Sequence, residues 1–147
     1  MFADTGITFI DNSEYKTTNM FCSLMCARDV LENAVSSSED VVLSYGDILF
    51  EKSVFIKLLD SDATSSVVVD DGWFIYWSVR CEDSLDDAET LMIDSEDYLE
   101  EIGQKTMDIN CVQSQYIGLM RFDVEGMKNL LAAITGNTCD YLYYFHV

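Results

Sequence analysis

Short apolar runs of extended character alternate along this chain with apolar residues spaced three and four apart. That alternation restricts the fold more than any other feature, because a period near 2 suits a strand and one near 3.6 suits a helix. Residues 7–10 form an apolar run closed by Asp11-Asn12-Ser13, the pattern of a strand and a turn. Met20, Leu24, Ala27, Leu31 and Val35, widened by Phe21 and Met25, predict one helix over 19–35, with Thr17, Thr18 and Asn19 available as caps. After a polar loop at 36–40, Val41, Val42 and Leu43 predict a strand buried on both faces of a mixed or parallel sheet. Residues 48–59 predict a short helix with Phe55, Leu58 and Leu59 inward. A strand follows at 65–69, ended by Asp70-Asp71-Gly72. Residues 73–79 are aromatic and β-branched and predict another extended segment. Residues 115–122 predict a strand, and Asp123 can cap a helix carrying Met127, Leu130, Leu131 and Ile134, stopped by Gly136-Asn137. The aromatic tail at 141–147 suits a last strand or an apolar surface. The sum is an α/β layered fold.

The chain length of 147 residues fits one domain, and 49% apolar residues supply its core. Twenty-seven acidic residues against eight basic ones give a formal charge of −19. Such a balance repels phosphate backbones and anionic headgroups, so neither nucleic acid nor membrane is expected as a partner. No apolar run approaches the roughly 18 residues of a spanning helix, and the start Met-Phe-Ala-Asp-Thr-Gly lacks a secretory pattern. Cys22, Cys26, Cys81, Cys111 and Cys139 are odd in number and scattered, which favours reduced, buried structural thiols in a cytoplasmic protein.

The single histidine, His146, is the penultimate residue, a poor position for a catalytic base. Residues 82–101 hold ten acidic side chains and no basic one, a composition expected for a solvated face or loop rather than a metal site. The most informative motif is Val41-Val42-Leu43-Ser44-Tyr45-Gly46-Asp47. Ligands of open α/β sheets collect at the carboxyl ends of strands, where an aspartate after a glycine can hold a divalent cation.

Several segments, in one order over about residues 7–134, resemble the small nucleotidyltransferases that activate phosphocholine, aminoalkyl phosphonates or sugar phosphates with CTP or a related nucleotide. The first are Ile7-Thr-Phe-Ile-Asp-Asn, Tyr15-Lys-Thr-Thr-Asn-Met-Phe-Cys-Ser-Leu and Ser44-Tyr-Gly-Asp-Ile-Leu-Phe-Glu. Then come Val67-Val-Val-Asp-Asp-Gly-Trp and Val79-Arg-Cys-Glu-Asp-Ser-Leu-Asp-Asp-Ala-Glu. The last are Ile102-Gly-Gln-Lys and Gln115-Tyr-Ile-Gly-Leu-Met-Arg-Phe. The resemblance implies an α/β fold with an incomplete Rossmann-like mixed sheet and flanking helices, of the nucleotide-diphospho-sugar transferase type. It also implies attack of a substrate phosphate on the nucleotide's α-phosphorus, assisted by Mg²⁺. Under it, Asp47 is the metal residue and Gly46 adjoins the nucleotide, while Arg80, Trp73, Tyr116 and Gly118 line the substrate side.

The resemblance also sets out departures. The family's Gly-rich basic loop has no counterpart before residue 7, and its late metal aspartate has none in Cys139-Asp140-Tyr141. The expectation is a single truncated nucleotidyltransferase-like domain over 1–147, without full catalytic activity. Strand edges left open in its sheet would be closed by rearrangement or by a homodimer. The alternatives are a residual Mg²⁺-dependent nucleotide-binding protein, an enzyme completed in trans, and an acidic interaction module.

Overall fold

A computed structural model describes residues 6–86 and 88–134. The first elements among the described residues are two short helices, α1 (Met20–Cys26) and α2 (Arg28–Ser37), which lead into strand β1 (Val41–Ser44). Helix α3 (Lys52–Leu59), strand β2 (Ser65–Asp70) and helix α4 (Trp73–Arg80) follow. Strands β3 (Glu89–Ile93) and β4 (Leu99–Lys105) form a two-stranded antiparallel sheet. After a 3₁₀ turn at Ile109–Cys111 come the long strand β5 (Gln115–Phe122) and helix α5 (Val124–Ala133).

The main sheet has the order β1-β5-β2, and both neighbours of β5 run antiparallel to it. Val41 and Ser65 both oppose Phe122, so β1 and β2 leave the same end of the central strand. The β3–β4 hairpin joins this sheet where Leu91 bridges Val112 and the Gln113 N–H donates to the Leu91 carbonyl at 2.9 Å. The α/β class with flanking helices agrees with the sequence pattern, and among the described residues every adjacent pair of strands is antiparallel. Val41, Val42 and Leu43 are half-buried rather than enclosed on both faces, because β1 is an edge strand covered on one side by helices.

Three local expectations differ from the structure. The apolar run at 7–10 is exposed and pairs with no strand among the described residues. An apolar run becomes a strand only where it pairs with a sheet edge, and residues 7–10 lie on neither outer edge of the β1-β5-β2 sheet. The helix over 19–35 is two helices. The Asn19 side chain caps the first by accepting from the Cys22 N–H at 3.1 Å. Ala27 (φ −93°, ψ 11°) leaves helical geometry, and its carbonyl starts the second by accepting from Val30 and Leu31. The break lets Leu24 and Met25 reach the same core as Leu31 and Val35. Helix α2 ends at Ser38 in the left-handed conformation (φ 58°), with the Glu39 N–H returning to the Ala34 carbonyl at 2.9 Å.

The third difference is residues 73–79, a helix rather than a strand. Strand propensity mostly measures fit to a half-buried pleated surface, and no sheet edge receives this segment. Trp73 and Trp77, one helical turn apart, instead pack inward with Ala88, Val112 and Leu85. The acidic stretch 82–101 likewise contains more structure than a solvated loop. Ala88, Thr90 and Leu91 are buried while Glu89 stays exposed, so the apolar residues of this stretch face inward and its carboxylates face solvent. The expectation of reduced, buried thiols is corrected at two positions: Cys22 is disulfide-bonded, and Cys26 carries a free thiol but is exposed, while Cys81 and Cys111 carry free thiols that are half-buried. Cys139, His146, the Gly136-Asn137 stop and the tail at 141–147 lie outside the described residues. No helix among the described residues is long and apolar enough to cross a membrane.

The larger core joins Leu31 of α2, Phe122 of β5 and Met127 and Leu130 of α5. Helix α5 is set against the start of β2 at very short range. The Asp123 carboxylate caps α5 by accepting from the Gly126 N–H at 2.7 Å, and the Asp123 N–H donates to the Thr64 carbonyl at 2.9 Å. A Cβ on Gly126 would lie 2.1 Å from that same Thr64 oxygen. Gly126→Ala therefore forces α5 off β2, and chemical denaturation should show a loss of about 1–3 kcal/mol. A variant as stable as the parent would mean that the helix is not seated this closely.

Candidate functional site

The carboxyl end of β1 meets the middle of β5 at an aromatic turn. The Tyr45 N–H donates to the Gly118 carbonyl at 2.8 Å, which extends the β1–β5 ladder one residue past Ser44. The Tyr45 ring then lies against Gly118, where a Cβ would stand 2.4 Å from Tyr45 Cδ2. Gly118 also has φ +87°, a conformation that side-chain-bearing residues rarely adopt. Glycine is thus required at 118 on two independent counts. Tyr116, two residues earlier, meets Tyr45 edge-to-face with centroids 5.8 Å apart and planes at 80°.

Asp47 follows directly and is exposed to solvent. Gly46 has open space where its Cβ would be, so no protein group requires a glycine there and the approach to Asp47 is unobstructed. Burial raises the Tyr45 phenol above its ordinary pKa, and the charges of Glu89 and Asp47 push it further in the same direction. Both carboxylates therefore act on this turn. Glu89 begins β3 and is tied to β5 through Gln115, whose Nε2 donates to the Glu89 carbonyl at 2.9 Å. Tyr116 is raised further still, by burial first and by Tyr45 second. Its hydroxyl is buried and has no hydrogen-bond partner.

The sequence-derived residues are only partly gathered here. Asp47, Gly46, Tyr116 and Gly118 meet around Tyr45, whereas Trp73 and Arg80 belong to α4. Trp73 is 3% exposed in the smaller core and stacks edge-to-face on Phe74. Arg80 points outward, its guanidinium 4.9 Å over the Tyr76 ring and hydrogen-bonded to the Tyr76 hydroxyl. No hydrogen bond, ion pair or ring contact among the described residues joins either of them to Asp47. Sequence reasoning passed over Tyr45 and Glu89, although both stand inside quoted segments. Tyr45 adjoins Gly46, and Glu89 ends the segment that begins at Val79.

The described residues contain no group of three or more His, Cys, Asp or Glu side chains arranged around one point. A closed protein cage for a metal is therefore not what Asp47 belongs to. A single open carboxylate does fit Mg²⁺, which keeps several waters and usually takes one or two carboxylates plus substrate phosphates.

The unpartnered Tyr116 hydroxyl has a measurable consequence. Removing a buried polar group that makes no hydrogen bond costs nothing in lost bonding, so Tyr116→Phe should leave the melting temperature unchanged or raised. Both tyrosines hold their protons more tightly folded than unfolded. Their contribution to stability is complete below about pH 10 and is lost as pH rises past that value. A pH titration of stability should show this alkaline loss, with a shallower slope in Tyr116→Phe. A large drop in stability of the variant near neutral pH would show that the hydroxyl is bonded after all.

No family model matches the chain, and no solved structure matches it significantly. Among curated proteins it is similar to the CTP:phosphoglutamine cytidylyltransferase of Campylobacter jejuni, with 33% identity over 135 residues. The match covers 92% of this chain and 53% of the relative, so the chain spans about half the length of the curated protein it matches. It takes in the Tyr45–Asp47 turn and the β5 segment together, since only 12 of the 147 residues lie outside it. The α/β architecture and this identity together give the chain a nucleotidyltransferase-like relationship.

Proposed function

We propose that this chain is a nucleotidyltransferase-like domain that binds a nucleoside triphosphate with Mg²⁺ at Asp47 and does not turn over by itself. The 33% identity to a CTP-using cytidylyltransferase over nearly the whole chain carries the reading. CTP is accordingly the first nucleotide to test. In this chemistry a phosphate oxygen of the acceptor bonds to the α-phosphorus, the bond from that phosphorus to the bridging oxygen breaks, and pyrophosphate leaves with the electron pair. Mg²⁺ supplies charge neutralisation on the phosphates when bound. Asp47 would hold it from the open end of β1, Gly46 leaves the backbone clear beside the nucleotide, and the Tyr45–Tyr116 pair over Gly118 forms a rigid wall. Trp73 is buried in the smaller core and Arg80 rests on Tyr76, so neither is assigned a part in holding the nucleotide.

Charge supports binding without turnover. A triphosphate needs cationic partners, and the arginines of this chain are already engaged. Arg28 pairs with Glu32 at 2.7 Å, Arg121 pairs with Asp40 at 2.6 Å, and Arg80 is held on Tyr76. With a net charge of −19, the chain repels a polyanion overall, so a metal ion bound with it lowers the cost of its approach.

A thermal-shift titration with CTP, UTP, ATP and GTP, with and without Mg²⁺, tests the reading. CTP at about a hundredfold excess over Kd should stabilise the fold by about 2.7 kcal/mol in the presence of Mg²⁺. The shift should vanish on chelation and in Asp47→Ala, an exposed substitution that leaves the fold intact. An equal shift in Asp47→Ala, or none with any nucleotide, would refute it.

A further inference from the structure

Helix α4 presents a second feature, independent of the Asp47 turn. Its sequence Trp-Phe-Ile-Tyr-Trp-Ser-Val-Arg is apolar nearly all the way round. Only Trp73 and Trp77 turn inward to the smaller core. The outer side leaves Phe74 46%, Ile75 75%, Tyr76 55% and Val79 84% exposed. A helix on a protein surface normally turns a polar face to water, and one that is apolar on both sides is normally covered on both. Contiguous exposed apolar patches of this kind mark interaction surfaces.

The charges around the patch decide what covers it. Asp70 and Asp71 precede α4, and Glu82, Asp83 and Asp86 follow it, all exposed. Arg80 is the helix's one cation, and it is spent on the Tyr76 ring and hydroxyl. A second copy laid across this face would meet like charge in either direction. Parallel pairing sets acidic start on acidic start, and antiparallel pairing sets acidic start on acidic end. The overall charge of −19 on each copy adds to that repulsion. A segment with basic residues at both ends meets opposite charge at both.

We infer that the outer face of α4 docks a protein segment that is apolar at its centre and basic at both ends. Its apolar side chains cover Ile75 and Val79, and its cations lie over Asp70 and Asp71 at one end and over Glu82, Asp83 and Asp86 at the other. Direction along the helix is not selected by charge, since both ends are acidic. Affinity falls with added salt, because the flanking charges are exposed.

Two fluorescein-labelled peptides of about 18 residues, long enough for five helical turns, test the inference. They share one amphipathic leucine face and differ only in ending with lysines or with glutamates. Anisotropy with the whole protein should show roughly tenfold tighter binding of the lysine-ended peptide at low salt. Ile75→Glu and Val79→Glu should each weaken that binding by about tenfold while circular dichroism and melting temperature stay unchanged. Both variants add negative charge, so attraction by charge alone would strengthen in them, and that result would overturn the proposal. No binding of the lysine-ended peptide, or equal binding of the two peptides, would also overturn it. So would a dimer mass by light scattering that falls to the monomer in Ile75→Glu, which would assign the face to a second copy.

Discussion

Strand β5 holds the described structure together, and its buried Arg121 shows how. The guanidinium reaches Asp40, just before β1, at 2.6 Å, and donates to the carbonyls of Ser61 and Ala63, just before β2, at 3.0 and 3.2 Å. One side chain on the central strand thus fixes the entry of both flanking strands. The register follows, since Val41 and Ser65 both oppose Phe122, the next residue. A charge buried this far is costly unless its partners are all in place. Asp40 compensates the charge and the Ser61 and Ala63 carbonyls satisfy further N–H groups, while Nε is buried without a partner, so the side chain ties both flanks of the sheet to β5.

The two close approaches on β5 and α5 depend on that arrangement. Gly118 admits the Tyr45 ring onto the strand, and Gly126 admits the Thr64 carbonyl onto the helix. Each glycine answers a neighbour brought up by a flanking strand, β1 in the first instance and β2 in the second. The aromatic wall beside Asp47 is therefore a by-product of sheet packing. The same packing holds the Tyr45 and Tyr116 rings edge to face.

Charge and hydrophobicity are arranged differently at the two surfaces of interest. At the Asp47 turn, carboxylates surround aromatic rings that are partly buried, and a polyanion needs a cation to approach. On α4 the apolar side chains face outward and acidic residues stand at both ends, which favours a cationic protein segment directly. A net charge of −19 makes like-charged approach to either surface unfavourable.

The sequence by itself determined the α/β class, the strands at β1, β2 and β5, and the Asp123 cap of α5. These rest on local periodicity and on a side chain bonding backbone two or three residues away, both of which are written in neighbouring residues. The Asp47 turn was legible for the same reason, as a glycine and an aspartate at the end of an apolar run. Only the tertiary structure decided that residues 7–10 join neither described sheet, that 73–79 coil into a helix and that 19–35 breaks at Ala27. Distant partners made the choice at the helices: Trp73 and Trp77 had a core to enter only one turn apart, and the break at Ala27 turns Leu24 and Met25 to the core that Leu31 enters. The union of Tyr45 with Tyr116 and Gly118 was decided in the same way. Those residues lie about seventy positions apart in the chain, and antiparallel pairing across a sheet, unlike helical spacing, leaves no periodic mark of its partner in the local sequence.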